Sequence, residues 1–253
     1  MSITEDAPVQ ARQSDSTPGP APVAWWWLVA ASALVLVLVA AALAVWSIAS
    51  HETRTTPYRI LGDVNGLRLD LGEADVEIDG GASSIEMTRT DEFSFGKPST
   101  GEPRVEDGTV SITSRCPEQV LGSCRVSYRL TVPDNVPLVI ETSSGNVDLA
   151  GVRASVQIST GSGAIRATGF CGFSLRAVSD SGDVTTVSEC SADRLELRST
   201  TGDVHAVVPA ARYTIDAQSD TGDVRTRGLI GTDEAPYEIQ ALSTAGDVTV
   251  EAA

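Results

Sequence analysis

The sequence predicts an all-β chain, a parallel β-solenoid (β-helix-like) domain behind one N-terminal transmembrane helix. A short strand–turn–strand pattern recurs through the second half of the 253 residues, apolar and polar positions alternate inside each copy, and one uncharged apolar run precedes them all. Repetition at about 20 residues with an internal period of two is what stacked coils produce, because a single coil cannot bury its own apolar face and must cover it with a neighbour.

Residues 1–22, MSITEDAPVQARQSDSTPGPAP, are polar, proline-rich and aperiodic, the composition of a disordered tail. Residues 23–50 read as the transmembrane helix. No charged residue occurs from Ser16 to Ser50. Trp27 and Trp46 are 19 positions apart, about 29 Å at 1.5 Å per residue, close to the hydrocarbon thickness of a bilayer. Trp25, Trp26 and Trp27 at one end and Trp46 at the other read as interfacial belts. Ser47 and Ala49 would suit signal-peptide cleavage, but the apolar run is too long and no basic segment precedes it, so the reading is an uncleaved anchor in the cell membrane. Charge leaves the orientation undecided, with Arg12 before the span and Arg54 and Arg59 after it. All four cysteines lie after the span, an even count suited to two disulfides in an oxidising compartment, which places the N-terminus in the cytoplasm and the C-terminal domain outside the cell. Residues 51–59 then form a linker and 60–253 the β-solenoid.

The copies are LVIETSSGNVDL from Leu138, VQISTGSGAIRA from Val156, LRAVSDSGDVTT from Leu175, LELRSTTGDVHA from Leu195, IDAQSDTGDVRT from Ile215 and IQALSTAGDVTV from Ile239. Their glycines, Gly145, Gly163, Gly182, Gly202, Gly222 and Gly246, are spaced 18, 19, 20, 20 and 24 residues apart. An earlier copy, LRLDLGEADVEI from Leu67, has Ala74 in the glycine column. Positions seven and five before the glycine and two after it stay apolar while the positions between vary freely, as in a strand with one buried face. Glycine at the corner accepts a positive φ angle, and the hydroxyl three positions before it (Thr142, Thr160, Ser179, Ser199, Ser219, Ser243) forms a hydrogen-bonded ladder inside the bend. The segment DEFSFGKPSTGEPRVEDG at 91–108 reads as a long connection, with a recognition loop around Phe93 and Phe95 as the alternative.

Cys171 and Cys190 each lie eight residues after a column glycine, hence on the same column of adjacent coils. Parallel strands sit about 4.8 Å apart, within disulfide reach, so a bridge Cys171–Cys190 is predicted and Cys116–Cys124 closes a short loop.

Catalytic chemistry is scarce. The chain holds 34 acidic against 18 basic residues, a net charge of -16, which excludes nucleic acid as a partner. His51 and His205 are the only histidines and Lys97 the only lysine. Asp183, Asp203 and Asp223 follow the glycines and are weak calcium candidates. Calcium asks for six to eight oxygens, and the plainer reading is a solvated turn. Ser94-Phe95-Gly96-Lys97 matches S-x-x-K without its companion motifs. No catalytic residue and no cofactor site is expected.

The serial S-[TD]-[ST]-G-[DN]-V copies behind one anchoring helix resemble the bacterial putative-adhesin family of β-strand-repeat domains of unknown function. The resemblance covers 60–253 and rests on the number of copies. It implies a β-solenoid on the outer face of a bacterial membrane, in a family with some members associated with envelope-stress systems, and it brings no active site. The chain departs from the pattern at Ala74, Ala164 and the long spacing before Gly246. The expectation is therefore a binding or interaction module and not an enzyme, with an envelope protein or cell-wall glycan as partner. The alternatives are an accessory sensor or regulator of an envelope-stress pathway and, third, a polysaccharide-acting enzyme. The chain ends at Ala253 just after the last strand, so the coil at 239–250 is expected to be uncapped and to offer a surface for self-association.

Overall fold

The structure is a computed structural model and describes residues 23–49, 52–60, 64–94, 98–101, 103–117 and 123–253. The tail at 1–22, His51, Phe95 and Lys97 lie outside the described residues. Helix α1 (Val23–Ala49) occupies the uncharged run. Every side chain from Trp26 to Trp46 is exposed, so α1 is apolar on all faces, and it is long enough to cross a membrane.

Among the described residues of the second unit, 50–253, there are twenty strands. The first seven are β1 (Glu52–Ile60), β2 (Gly66–Ala82), β3 (Ile85–Ser94), β4 (Ser99–Thr100), β5 (Arg104–Glu106), β6 (Thr109–Arg115) and β7 (Ser123–Pro133). The coils follow as strand pairs: β8 (Leu138–Ser144) with β9 (Val147–Ala150), β10 (Val156–Ser162) with β11 (Ile165–Phe170), β12 (Ser174–Ser181) with β13 (Val184–Ser188), and β14 (Arg194–Ser199) with β15 (Val204–Val208). Next come β16 (Arg212–Ser219) with β17 (Val224–Arg227), the short β18 (Ile230–Gly231), and β19 (Tyr237–Ser243) with β20 (Val248–Ala252). In each pair the first strand lies on one face and the second on the other, and both pair in parallel with the next coil. Leu138, Val156, Leu175, Leu195 and Ile239 stack in one such column, all at most 3 % exposed. Burying a side chain of this kind stabilises the fold by about 1.5–3 kcal/mol.

The order of coils in space is not their order in sequence. β19 and β20 insert between the β14/β15 coil and the β16/β17 coil, so the last coil of the chain is interior and the coil at 212–227 is the end. Ile239, Val248 and Val250 are fully buried, whereas Ile215 and Ala217 are half-buried and Val224 is 44 % exposed. The coil at 239–250, expected to be uncapped, is thus covered on both sides, and the end coil is 212–227. Burial explains the choice. The column that holds Val250 in the last copy holds Thr226 in the one before it, and an end coil, covered on one side only, costs less when polar. The 24-residue spacing supplies the chain needed to step over a coil.

The opposite end is inverted in the same way and carries added antiparallel strands. β6 and β7 form the outermost parallel coil, with β2 between them and β8/β9. Antiparallel β3 then covers β7, β1 covers β3, and β4 and β5 cover β6. The expected linker at 51–59 is therefore strand from Glu52, with Thr56, Tyr58 and Ile60 turned inward at period two. The stretch is too short and polar to announce itself. Part of the expected long connection is likewise strand, and Phe93 is buried in it.

Candidate binding surfaces

The turn columns do structural work. Thr160, Ser179, Ser199, Ser243 and Ser219 each donate to the carbonyl of the column glycine one coil back, and Thr142 donates to Gly72, over 2.7–3.4 Å. These hydroxyls are held by neighbouring coils, as a ladder requires. The reason for glycine differs from the expectation. Positive φ is found at Gly145, Gly163 and Gly182 only, while at all six column glycines a Cβ would overlap a carbonyl oxygen of the adjacent coil. Close backbone approach, and not turn conformation, selects the residue.

The aspartates form a second ladder. Asp183 accepts from the backbone N–H of Asp203, Asp203 from that of Asp247, and Asp247 from that of Asp223, each at 2.8–2.9 Å. Asp75 and Asn146 do the same for Asn146 and Ala164, after which alanine interrupts the series. Of the calcium candidates, Asp183 and Asp203 are neighbours, and Asp247 stands between Asp203 and Asp223. Among the described residues no three His, Cys, Asp or Glu side chains come together in a way that could hold a metal.

The Asp223 N–H and then the Arg225 guanidinium hold the Asp247 carboxyl below its ordinary value of 3.8. The folded form therefore binds its proton less readily than the unfolded form, so this contribution to stability is present above pH 3.8 and is lost as pH falls through the depressed value. Below pH 3.8 the end coil is expected to loosen before the middle, seen as faster amide exchange at Asp223 than at Val184. Equal rates at the two amides would refute this.

Outward positions pair across coils: Arg166 with Asp148, Arg176 with Glu196, Arg194 with Glu238 and Arg129 with Glu77. Exposed pairs of this kind contribute little stability, and they let a strongly acidic chain stack. His205 lies in register with Thr185 and Thr249, and its Nε2 is 3.0 Å from the Glu251 carboxylate, a partner not foreseen from sequence.

Cys171 and Cys190 are bonded with Cα atoms 4.8 Å apart, the spacing of adjacent parallel strands. Cys116–Cys124 closes the connection between β6 and β7 with a Cα separation of 5.9 Å. Replacing both Cys116 and Cys124 by serine is expected to cost about 2 kcal/mol, from the freedom a short loop regains in the unfolded chain. Denaturant titration of the variant measures it, and an unchanged midpoint would contradict it.

The end coil offers an open parallel sheet edge. On its outer side β16 meets only Ile230 and Gly231 of β18, opposite Arg212 and Tyr213. From Thr214 onward β16, and all of β17, have no strand partner on that side among the described residues. Such an edge is a template for an added strand. Sequence reasoning expected an open edge and assigned it to the wrong coil. The signal that places it is Thr226 in the column of Val250.

Comparison with known proteins adds a partial match to a family model. Residues 134–252 match the model described as Toastrack DUF4097. None of the curated proteins matches the chain. Among solved structures the chain is similar to a putative cell adhesion protein of Clostridium sporogenes, at 14% identity, with 80% of this chain and 100% of that chain covered and a TM-score of 0.49. It is also similar to a putative adhesin of Parabacteroides distasonis, at 11% identity, with 79% and 97% covered and a TM-score of 0.38. A third likeness is to a putative lipid binding protein of Parabacteroides distasonis, at 13% identity, with 81% and 97% covered and a TM-score of 0.33. At these scores the three structures carry no weight for register, site or ligand.

Proposed function

We propose that the chain, whose residues 134–252 match the family model described as Toastrack DUF4097, is a non-catalytic binding module anchored in the cell membrane and displayed outside it. The observation that carries this reading is the join of two features: an all-round apolar helix of membrane-spanning length, and a disulfide-bonded solenoid presenting long, continuous exposed faces. Stacked coils are built for extended contact, since each adds about 4.8 Å of surface in the same register. Two disulfides suit an oxidising exterior, and this supports an N-terminus in the cytoplasm.

The test is the full-length protein in nanodiscs, incubated with washed cells and with isolated envelopes. Saturable retention that proteolytic removal of the β unit abolishes is expected. Absence of saturable retention would overturn the reading.

The open edge at 212–227 favours a second reading, in which the module signals through an envelope protein that adds a strand there. That reading expects a membrane partner in constant ratio after crosslinking in intact cells, lost with Val224→Lys. Retention of the partner by the variant would overturn it.

A further inference from the structure

On the binding-module reading, we propose that the groove beside Phe173 is a binding site for a neutral, linear glycan laid across the coils along the solenoid axis. Phe173 is 67 % exposed, and it is the one aromatic among the large apolar side chains found exposed on the described β unit. The backbone that carries it is pinned. Two residues before it Cys171 is tied to Cys190 on the next coil, and its carbonyl accepts the Asp193 N–H at 3.0 Å. Gly172 between them has no room for a Cβ, which would overlap the Ala154 carbonyl oxygen. Phe170, three residues earlier, is buried at 1 % and supplies the core contact of this corner. A disulfide, a sterically required glycine and an inter-coil hydrogen bond therefore converge on the backbone beneath a largely exposed ring. An exposed aromatic on a pinned backbone suits a binding platform, because little backbone ordering entropy is lost when a ligand stacks on it.

The ring borders a groove of 570 Å³ that Tyr237 also lines, the Tyr237 ring tilted 44° against that of buried Tyr213 with ring centres 5.7 Å apart. Through shared Ser174 and Arg194 the groove continues into a second one of 310 Å³ that reaches Gln157 and Val139. The two together cross the coils of β8, β10, β12, β14, β19 and β16, a run of about 24 Å at about 4.8 Å per coil. That is room for several sugar rings in line.

The chemistry of the floor selects the ligand class. Arg176 pairs with Glu196, and Arg194 with Glu238 at 2.7 Å, so donors and acceptors stand side by side. Vicinal hydroxyls, each both donor and acceptor, match such pairs, and the C–H face of a sugar ring matches Phe173. Two guanidiniums face the three carboxylates of Asp193, Glu196 and Glu238, a balance unsuited to a polyanion. Along β12 and β14 a peptide strand finds no backbone to pair with, since each is hydrogen-bonded on both sides, and the open edge of β16 lies only at the end of the groove.

The experiment uses full-length protein in nanodiscs and measures binding to soluble chito-, cello- and β-1,3-gluco-oligosaccharides, with heparin as the polyanion, alongside envelope retention. Binding to at least one neutral series is expected, weakened about tenfold or more by Phe173→Ala and retained by Phe173→Trp, with Val105→Ala unchanged. The double variant Cys171→Ser, Cys190→Ser, folded by circular dichroism, is expected to weaken binding in the same direction. Equal glycan binding by wild type and Phe173→Ala, or binding to heparin alone, overturns the groove. Envelope retention without any neutral-glycan binding overturns it while leaving the binding module standing. Loss of both defeats the two together.

Discussion

Gly202→Val is expected to destabilise the β unit by about 4 kcal/mol or more. A Cβ at this position overlaps the carbonyl group of Gly182 and crowds the nitrogen of Asp183, all backbone atoms of the adjacent coil. No rotamer change relieves a clash with backbone, so the coils must separate. Separation strains three hydrogen bonds at once: Val184 N–H to the Asp203 carbonyl, the Ser199 hydroxyl to the Gly182 carbonyl, and Asp203 N–H to the Asp183 carboxylate. Each contributes about 1 kcal/mol net, and the overpacking strain adds to them. The matched control is Gly231 in β18, where nothing lies within 4 Å of a Cβ and alanine is expected to change stability by no more than about 0.5 kcal/mol. Urea denaturation of both variants measures the contrast. Similar midpoints would mean that the stack tolerates side chains in its glycine column and that close approach is not the reason for it.

Asp91→Asn is expected to cost about 3–5 kcal/mol, and the double variant Arg89→Met, Asp91→Leu to recover most of that loss. Both side chains project from β3 to the same side and are nearly inaccessible, 7 % and 9 % exposed, with Arg89 Nε 2.7 Å from the Asp91 carboxylate. Removing one charge leaves the other buried without a counter-ion. Removing both and replacing them with apolar groups lifts that penalty. The same β3 strand covers the β7 coil, so its loosening also exposes Leu130 and Tyr128. Stability measured on the single and double variants decides the matter. A double variant as weak as the single would show that the pair contributes net stability and is not merely a compensated burial.

The repeat unit was legible because its chemistry is local. Apolar columns such as Leu175, Leu195 and Ile239 recur at fixed distances from a glycine, and a parallel stack places them on one another in any order. The bridge Cys171–Cys190 followed from the same count. The glycan groove was not legible. It draws Phe173 from a corner, Arg194 from β14 and Glu238 from β19, and the last two meet only because β19 lies beside β14. The capping strands were missed for a different reason. β1 and β3 pair antiparallel and carry no glycine column, so nothing in them repeats.

Sequence by itself determined the apolar N-terminal helix, the coil, its inward and outward faces, the hydroxyl ladder and the inter-coil disulfide. Only the tertiary structure decided which coil lies next to which. Every coil presents the same row of backbone donors and acceptors to its neighbours, so hydrogen bonding does not distinguish one stacking order from another. The order is settled by burial and reach: Val250 is fully enclosed with Thr226 in the coil beyond it, and the longer connection before β19 allows the chain to cross back. The coil left at this end of the solenoid is the one whose exposure costs least.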